Sequence, residues 1–278
     1  MKRLKTIILF SITCILLTSC NGYENLLKSN DYNTKYKAAV EYYDKGDYNR
    51  AGRLLENLQL YYRGQDLAED ITWRYAQCLL RQDDYYSAAY QLINFGRRFP
   101  FSLHAEEAAY LAAYCQYHES AEYNLDQTQT KGAITAFESF AEHYPNSPHM
   151  PQVNEYLDQL RGKLMRKEYE IAYGWYKVEQ YHAAYTSLND FLSHYPDSPY
   201  REDAMFYILS SGYIFGINSR EDKMKERLQL VVNDFDKFAT TFTNSKYLAE
   251  AQKIYAECKA KLAELETQKN NANQSNNN

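Results

Sequence analysis

His143-Tyr144-Pro145-Asn146-Ser147 is one of four copies of a single phrase in this chain. The others are Arg98-Phe99-Pro100-Phe101-Ser102, His194-Tyr195-Pro196-Asp197-Ser198 and, with Thr in place of Pro, Thr241-Phe242-Thr243-Asn244-Ser245. All six prolines lie in the first three copies or just behind them. Proline stops a helix, and Ser or Asn is suited to start the next, so each phrase reads as helix end, turn and helix start. A terminator recurring every 45 to 51 residues predicts a stacked helical array rather than one globular core.

The segments between terminators superimpose. Gly46-Asp47-Tyr48 aligns with Asp83-Asp84-Tyr85 and with Glu179-Gln180-Tyr181. Behind each comes a small residue and then two bulky ones: Ala51, Leu55, Leu58; Ala88, Leu92, Phe95; Ala184, Leu188, Phe191. Ala133, Phe137 and Phe140 keep this register behind an insertion near 124–130, and Val231, Phe235 and Phe238 keep it more loosely behind one near 218–226. On the preceding helices one column reads Ala39, Ala76, Ala113, Ala172 and Leu209, mostly small, as a close helix crossing requires.

These features resemble the tetratricopeptide repeat, a helix-turn-helix unit with small residues at its crossing. The expected fold is all-α, a right-handed α-solenoid of about five such helix pairs with a C-terminal capping helix over 245–266. A second column is aromatic throughout: Tyr36, Trp73, Tyr110, Tyr169 and Phe206. Seven residues on come Tyr43, Leu80, Tyr117, Tyr176 and Tyr213, with Val40, Gln77, Tyr114, Tyr173 and Ser210 between. In the repeat that this resembles, such positions line a groove for extended peptides. Core positions have no reason to prefer hydroxyl-bearing rings to Leu or Phe, whereas interfaces do. The chain holds 29 Tyr against 12 Phe, so many tyrosines must nonetheless be ordinary packing.

The N-terminus reads as a lipoprotein signal. Met1-Lys2-Arg3-Leu4-Lys5 is basic, and the apolar stretch 6–17 is too short to span a bilayer. Leu17-Thr18-Ser19-Cys20 matches the bacterial lipobox, so Cys20 is the expected lipidation site. Asn21 rather than Asp after the Cys favours the outer membrane, with the body facing the periplasm. The expected organisation is a signal peptide (1–19), a lipidated tether (20–33), the solenoid (34–266) and a disordered Asn-rich tail (267–278). Residues 1–19 hold three of the 31 basic residues and none of the 36 acidic ones, leaving a net charge of −8. That balance argues against nucleic acid as a partner. Cys78, Cys115 and Cys258 are expected as small buried residues without a disulfide.

No catalytic set emerges: there is no nucleophile elbow, phosphate-binding glycine loop or His-Glu-x-x-His. His143 and His194 are repeat equivalents, and the acidic pairs Glu106-Glu107 and Glu202-Asp203 suit helix first turns. The chain is expected not to be an enzyme, and to use no cofactor or metal.

The lipobox, the short tether and five repeat-like units together resemble the BamD family of outer-membrane β-barrel assembly lipoproteins. The stretches that carry the likeness are Tyr144-Pro145-Asn146-Ser147, Leu160-Arg161-Gly162-Lys163-Leu164, Lys167 to Ala172 and Tyr195-Pro196-Asp197-Ser198, with Asp126-Gln127-Thr128 in the insertion. The resemblance implies early repeats that receive the C-terminal segments of unfolded barrel proteins, and later repeats that dock the periplasmic domains of a BamA-like insertase. The implied binding residues are Tyr36, Tyr43, Trp73, Gln77, Arg81, Tyr110, Tyr114, Tyr117, Tyr169, Tyr173 and Tyr176, with Arg81 suited to a terminal carboxylate. The first connector, Leu60-Tyr61-Tyr62-Arg63-Gly64, and the charged run 220–227 depart from the pattern. Other lipoprotein scaffolds of this repeat type remain open: a secretin pilot, an envelope-constriction coordinator, or a glycan binder using its aromatic rows.

Overall fold

The computed structural model describes residues 22–275, so the lipobox, Cys20 and the signal peptide lie outside the described residues. The described chain is helical, with no strand. It divides into two compact units, the first ending at Arg161 and the second beginning at Gly162. The first unit holds α1 (22–28), α2 (Tyr32–Asp44), α3 (Tyr48–Tyr61), α4 (Ala68–Leu80), α5 (Tyr85–Arg98), α6 (Ala105–His118), α7 (Thr128–His143) and the first part of α8 (Met150–Lys177). The second holds the rest of α8, then α9 (Tyr181–His194), α10 (Arg201–Ile217), α11 (Glu221–Thr241) and α12 (Leu248–Ser275). From α2 to α7, and again from α9 to α12, each helix packs on the next in sequence. This is helical-repeat architecture of the tetratricopeptide type.

The core follows the columns read from sequence. Ala39, Ala76, Ala113, Ala172 and Leu209 are all buried, as are the second-helix sets from Ala51, Leu55, Leu58 to Ala184, Leu188, Phe191. In the last pair Val231 and Phe238 are buried, while Phe235 stacks on Tyr255 of α12 at 4.4 Å. Ala251, Ile254, Cys258 and Leu262 close that end of the second unit's core. Cys78, Cys115 and Cys258 are buried free thiols, and burial pushes each up to about 12.

The repeated phrase folds the same way four times, and not by capping. Its aromatic residue ends the helix by tucking onto the Phe four residues before: Phe99 on Phe95, Tyr144 on Phe140, Tyr195 on Phe191 and Phe242 on Phe238, with ring centroids 5.2 to 5.7 Å apart. Its Ser makes no N-cap, against the expectation. Ser102, Ser147, Ser198 and Ser245 each turn the Oγ onto the backbone N–H two residues on, at 3.0 to 3.2 Å. The following helix starts later, at His104–Ala105 and Tyr200–Arg201, with no side-chain cap. True Asp caps serve other helices: Asp31, Asp47 and Asp84 accept from the backbone of Thr34, Arg50 and Ser87.

Three stretches differ from the reading above. Residues 22–28, expected as tether, form a helix whose Tyr23 is buried against α2 and α3, its hydroxyl donating to the Arg50 carbonyl at 3.1 Å. Leu26 and Leu27 pack on the same core beside Tyr23, so three apolar side chains draw this short segment onto it. Residues 267–275, expected as disordered, continue α12, with Thr267 and Gln268 bonding back to Ala263 and Glu264. Extending a formed helix is cheap because nucleation has already been met. Finally, α8 is a double-length helix. Tyr110 and Phe206 fall eight residues after Ser102 and Ser198, whereas Tyr169 falls twenty-two after Ser147. The fourteen extra residues are two heptads, so the buried face is kept. Val153, Leu157 and Leu160 therefore complete the first unit's core, and Tyr169 and Ala172 begin the second's.

Candidate functional site

The aromatic column has a structural partner that the sequence reading missed. The residue two after each phrase's Ser always bears a ring: His104, His149, Tyr200 and Tyr247. The Ser turn aims that ring at the column residue of the preceding repeat. Trp73 stacks on His104 at 4.4 Å, Tyr110 on His149 at 4.0 Å, Tyr169 on Tyr200 at 4.4 Å and Phe206 on Tyr247 at 4.2 Å, all within 10° of parallel. The first-turn carboxylates tie the same joints: Ser102 donates to Glu69 at 2.7 Å, His149 Nε2 lies 3.1 Å from Glu107, and Tyr247 donates to Asp203. Tyr36 has no such ring and donates instead to Asp70 at 2.7 Å; burial and that carboxylate push its phenol up to about 12. This column clasps one repeat to the next.

The other sequence-read positions leave ring edges at the surface of the first helices. In the first unit Tyr43 lies under the Arg74 guanidinium at 5.1 Å, and Asp70 holds Arg74 at 2.8 Å. Burial raises the Tyr43 phenol, and Arg74, then the exposed Arg81, act against that rise. Arg74 was not among the expected residues, although its i,i+4 spacing from Asp70 was legible. Gln77 is buried beneath this face. Further along, Tyr114 and Tyr117 are half-buried around Tyr156 of α8, at 5.9 and 4.4 Å, with the Tyr117 hydroxyl donating to Gln159. His118 stacks on Tyr85 at 4.4 Å and meets the edge of Tyr114. In the second unit Tyr173 and Tyr176 pack on Tyr207 at 4.5 and 4.8 Å, and Tyr176 shares a hydrogen bond with Ser210 at 3.0 Å. Tyr169 lies buried beside them, and burial raises its phenol far above the usual range. Tyr156 and Tyr207 were missed because both sit one residue off the columns.

Every phenol whose titration shifts here moves upward. At neutral pH these faces present uncharged hydroxyls, able to donate and accept. Among the described residues no group of three or more His, Cys, Asp or Glu could hold a metal ion, and no helix is long and apolar enough to cross a membrane.

Stacked helix pairs clasped by rings, with tyrosine faces on their first helices, define a helical-repeat protein of tetratricopeptide type. The outer membrane lipoprotein family (YfiO) matches over residues 28–228 and 172–271, and the chain belongs to it. It is similar to the outer membrane protein assembly factor BamD of Pasteurella multocida (strain Pm70): 20% identity over 215 residues, 74% of this chain and 82% of that protein. It is also similar to the outer membrane protein assembly factor BamD of Caulobacter vibrioides (strain ATCC 19089 / CIP 103742 / CB 15), 24% identical over 120 residues, 43% of this chain and 39% of that one. A solved tetratricopeptide repeat protein from Parabacteroides merdae ATCC 43184 aligns over 82% of this chain and all of its own, at 15% identity. Its TM-score is 0.33, too low to bear on the architecture.

Proposed function

We propose that this chain is a non-catalytic assembly factor for outer-membrane β-barrel proteins, lipid-anchored through Cys20 and facing the periplasm. The observation that carries the reading is its place in the outer membrane lipoprotein family, beside two relatives that are both outer membrane protein assembly factors. The tyrosine faces give the reading its chemistry. Neutral phenols and half-buried rings suit an extended segment that alternates apolar and polar side chains and ends in an aromatic residue. Tyr43, Tyr114 and Tyr117 in the first unit, with Arg81 for a terminal carboxylate, are the residues assigned to substrate capture. Tyr173 and Tyr176 of the second unit are assigned to a partner such as the periplasmic domains of a BamA-like insertase.

The test is a gentle-detergent pull-down of the native chain from envelopes, with partners identified by mass spectrometry. A stoichiometric BamA-like protein is the expected partner; recovery of a secretin or of cell-wall enzymes without an insertase discards the function. In the same strains Cys20→Ala should leave an uncleaved precursor that fails to reach the outer membrane. Tyr117→Ala should weaken capture of a barrel C-terminal peptide by ~1–2 kcal/mol without loss of helicity, and unchanged affinity would remove that face from the assignment.

A further inference from the structure

The turn between α5 and α6 breaks the chain's own rule. It and its three equivalents are all built alike and all leave two positions in water. In three of them these hold Asn146 and Pro148, Asp197 and Pro199, and Asn244 and Lys246. In the fourth they hold Phe101 and Leu103, each 98% exposed. Packing asks nothing of these positions, so two bulky apolar side chains there contribute nothing to the fold. The turn itself is firmly held: Ser102 bonds Glu69 and the His104 N–H, and the Ser102 N–H donates to the Phe99 carbonyl at 3.1 Å. Phe101 and Leu103 are thereby fixed outward on a rigid tip. Beside them α5 ends in Arg97 and Arg98, both exposed and neither ion-paired among the described residues; Arg98 lies over the Phe99 ring at 5.1 Å.

We propose that this tip is a membrane contact, in which Phe101 and Leu103 enter the headgroup–acyl boundary of a phospholipid surface and Arg97 and Arg98 meet its phosphates. Two protruding side chains are far too little area for a standard protein interface, whereas a bilayer accepts a single apolar tip. The paired cations are complementary to anionic lipid. They are local exceptions on a chain of net charge −5, which as a whole would be repelled by such a surface. Membership of an outer membrane lipoprotein family puts a bilayer within reach. The inference is independent of the assembly reading and of the tyrosine faces.

The test is flotation of the chain from residue 20 onward, carrying Cys20→Ser so that no acyl chain holds it, with phosphatidylethanolamine vesicles containing phosphatidylglycerol. Salt-sensitive flotation is expected. F101S/L103S should lower the partition coefficient at least about tenfold, and R97Q/R98Q should weaken binding and flatten its salt dependence. Helicity should be unchanged in both, because Phe101 and Leu103 stand almost wholly in water and Arg97 and Arg98 are exposed at the end of α5. Failure of the parent chain to float, or flotation of F101S/L103S equal to it, overturns the proposal. Capture of an envelope protein by the parent but not by F101S/L103S, with no vesicle binding, also overturns it in favour of a protein partner.

Discussion

Single residues show where the repeat is under tension. The turn inside three of the helix pairs, α2–α3, α4–α5 and α8–α9, puts one residue in the left-handed region: Gly46 at φ 78°, Asp83 at 57° and Glu179 at 61°. Only Gly takes that conformation without a Cβ penalty of about 1–2 kcal/mol. Asp83 recovers something by accepting from the Tyr85 hydroxyl at 2.9 Å. Glu179 has no such bond, and its carboxylate is exposed. Glu179→Gly should therefore stabilise the second unit by ~0.5–1 kcal/mol after the entropy cost of glycine, read as a rise in the thermal midpoint. An unchanged or lowered midpoint would mean the side chain contributes more than its backbone strain costs. Lys35 is a different kind of tension: 1% exposed, it donates to the Leu27 carbonyl and Asn57 Oδ1, and desolvation lowers its titration. It fixes α1 to α2 and α3 from within.

Between elements, contact depth is set by the smallest residue at the crossing. On α10 a Cβ at Gly212 would come within 3.1 Å of the Tyr185 ring and of Val231, and one at Gly216 within 3.0 Å of Leu228. Gly212→Val should cost ~1–3 kcal/mol by overpacking, measured by denaturant unfolding, whereas Gly162→Val, with nothing within 4 Å of its Cβ position, should not. Most of this packing was legible in the sequence, since the Ala39 and Ala51 columns repeat with fixed spacing and a small residue can serve only at a crossing. The joints were less legible. The Ser of the phrase looked like an N-cap because Ser caps helices generally; which N–H it reaches depends on backbone angles that no residue identity reveals. The rings at His104, His149, Tyr200 and Tyr247 form a column as regular as that of Trp73 and Tyr110, but they lie in a turn, outside the helix faces where binding residues were sought. The doubled α8 was hidden because two inserted heptads leave the periodicity intact. Gln127, central to the insertion, is buried and donates to the Glu122 and Leu125 carbonyls at 2.7 and 3.1 Å; its place could be found only by resemblance.

For the molecule as a whole, one histidine in each unit couples stability to pH, in opposite senses. His118, in the first, is held below its ordinary 6.5 by the partial desolvation of an otherwise exposed ring lying against Tyr85, Tyr114 and Tyr117, with Asp83 acting against it. The unfolded chain takes up that proton first, so stability is full above about pH 6.5 and is lost as pH falls through the folded value. His194, in the second, is raised by its hydrogen bond to Glu168, so its contribution is present below 6.5 and fades as pH rises. His118→Asn should flatten the acid side of the first unit's stability profile, followed by amide exchange in α6; a slope equal to the parent's would assign the acid sensitivity elsewhere. The buried thiols carry one last consequence. With Cys78, Cys115 and Cys258 hidden and essentially undissociated, the native fold offers alkylating reagents no thiolate at these positions. Their modification can begin only when a repeat opens, so iodoacetamide uptake by peptide becomes a clock that times the breathing of each unit: Cys78 and Cys115 for the first, Cys258 for the second.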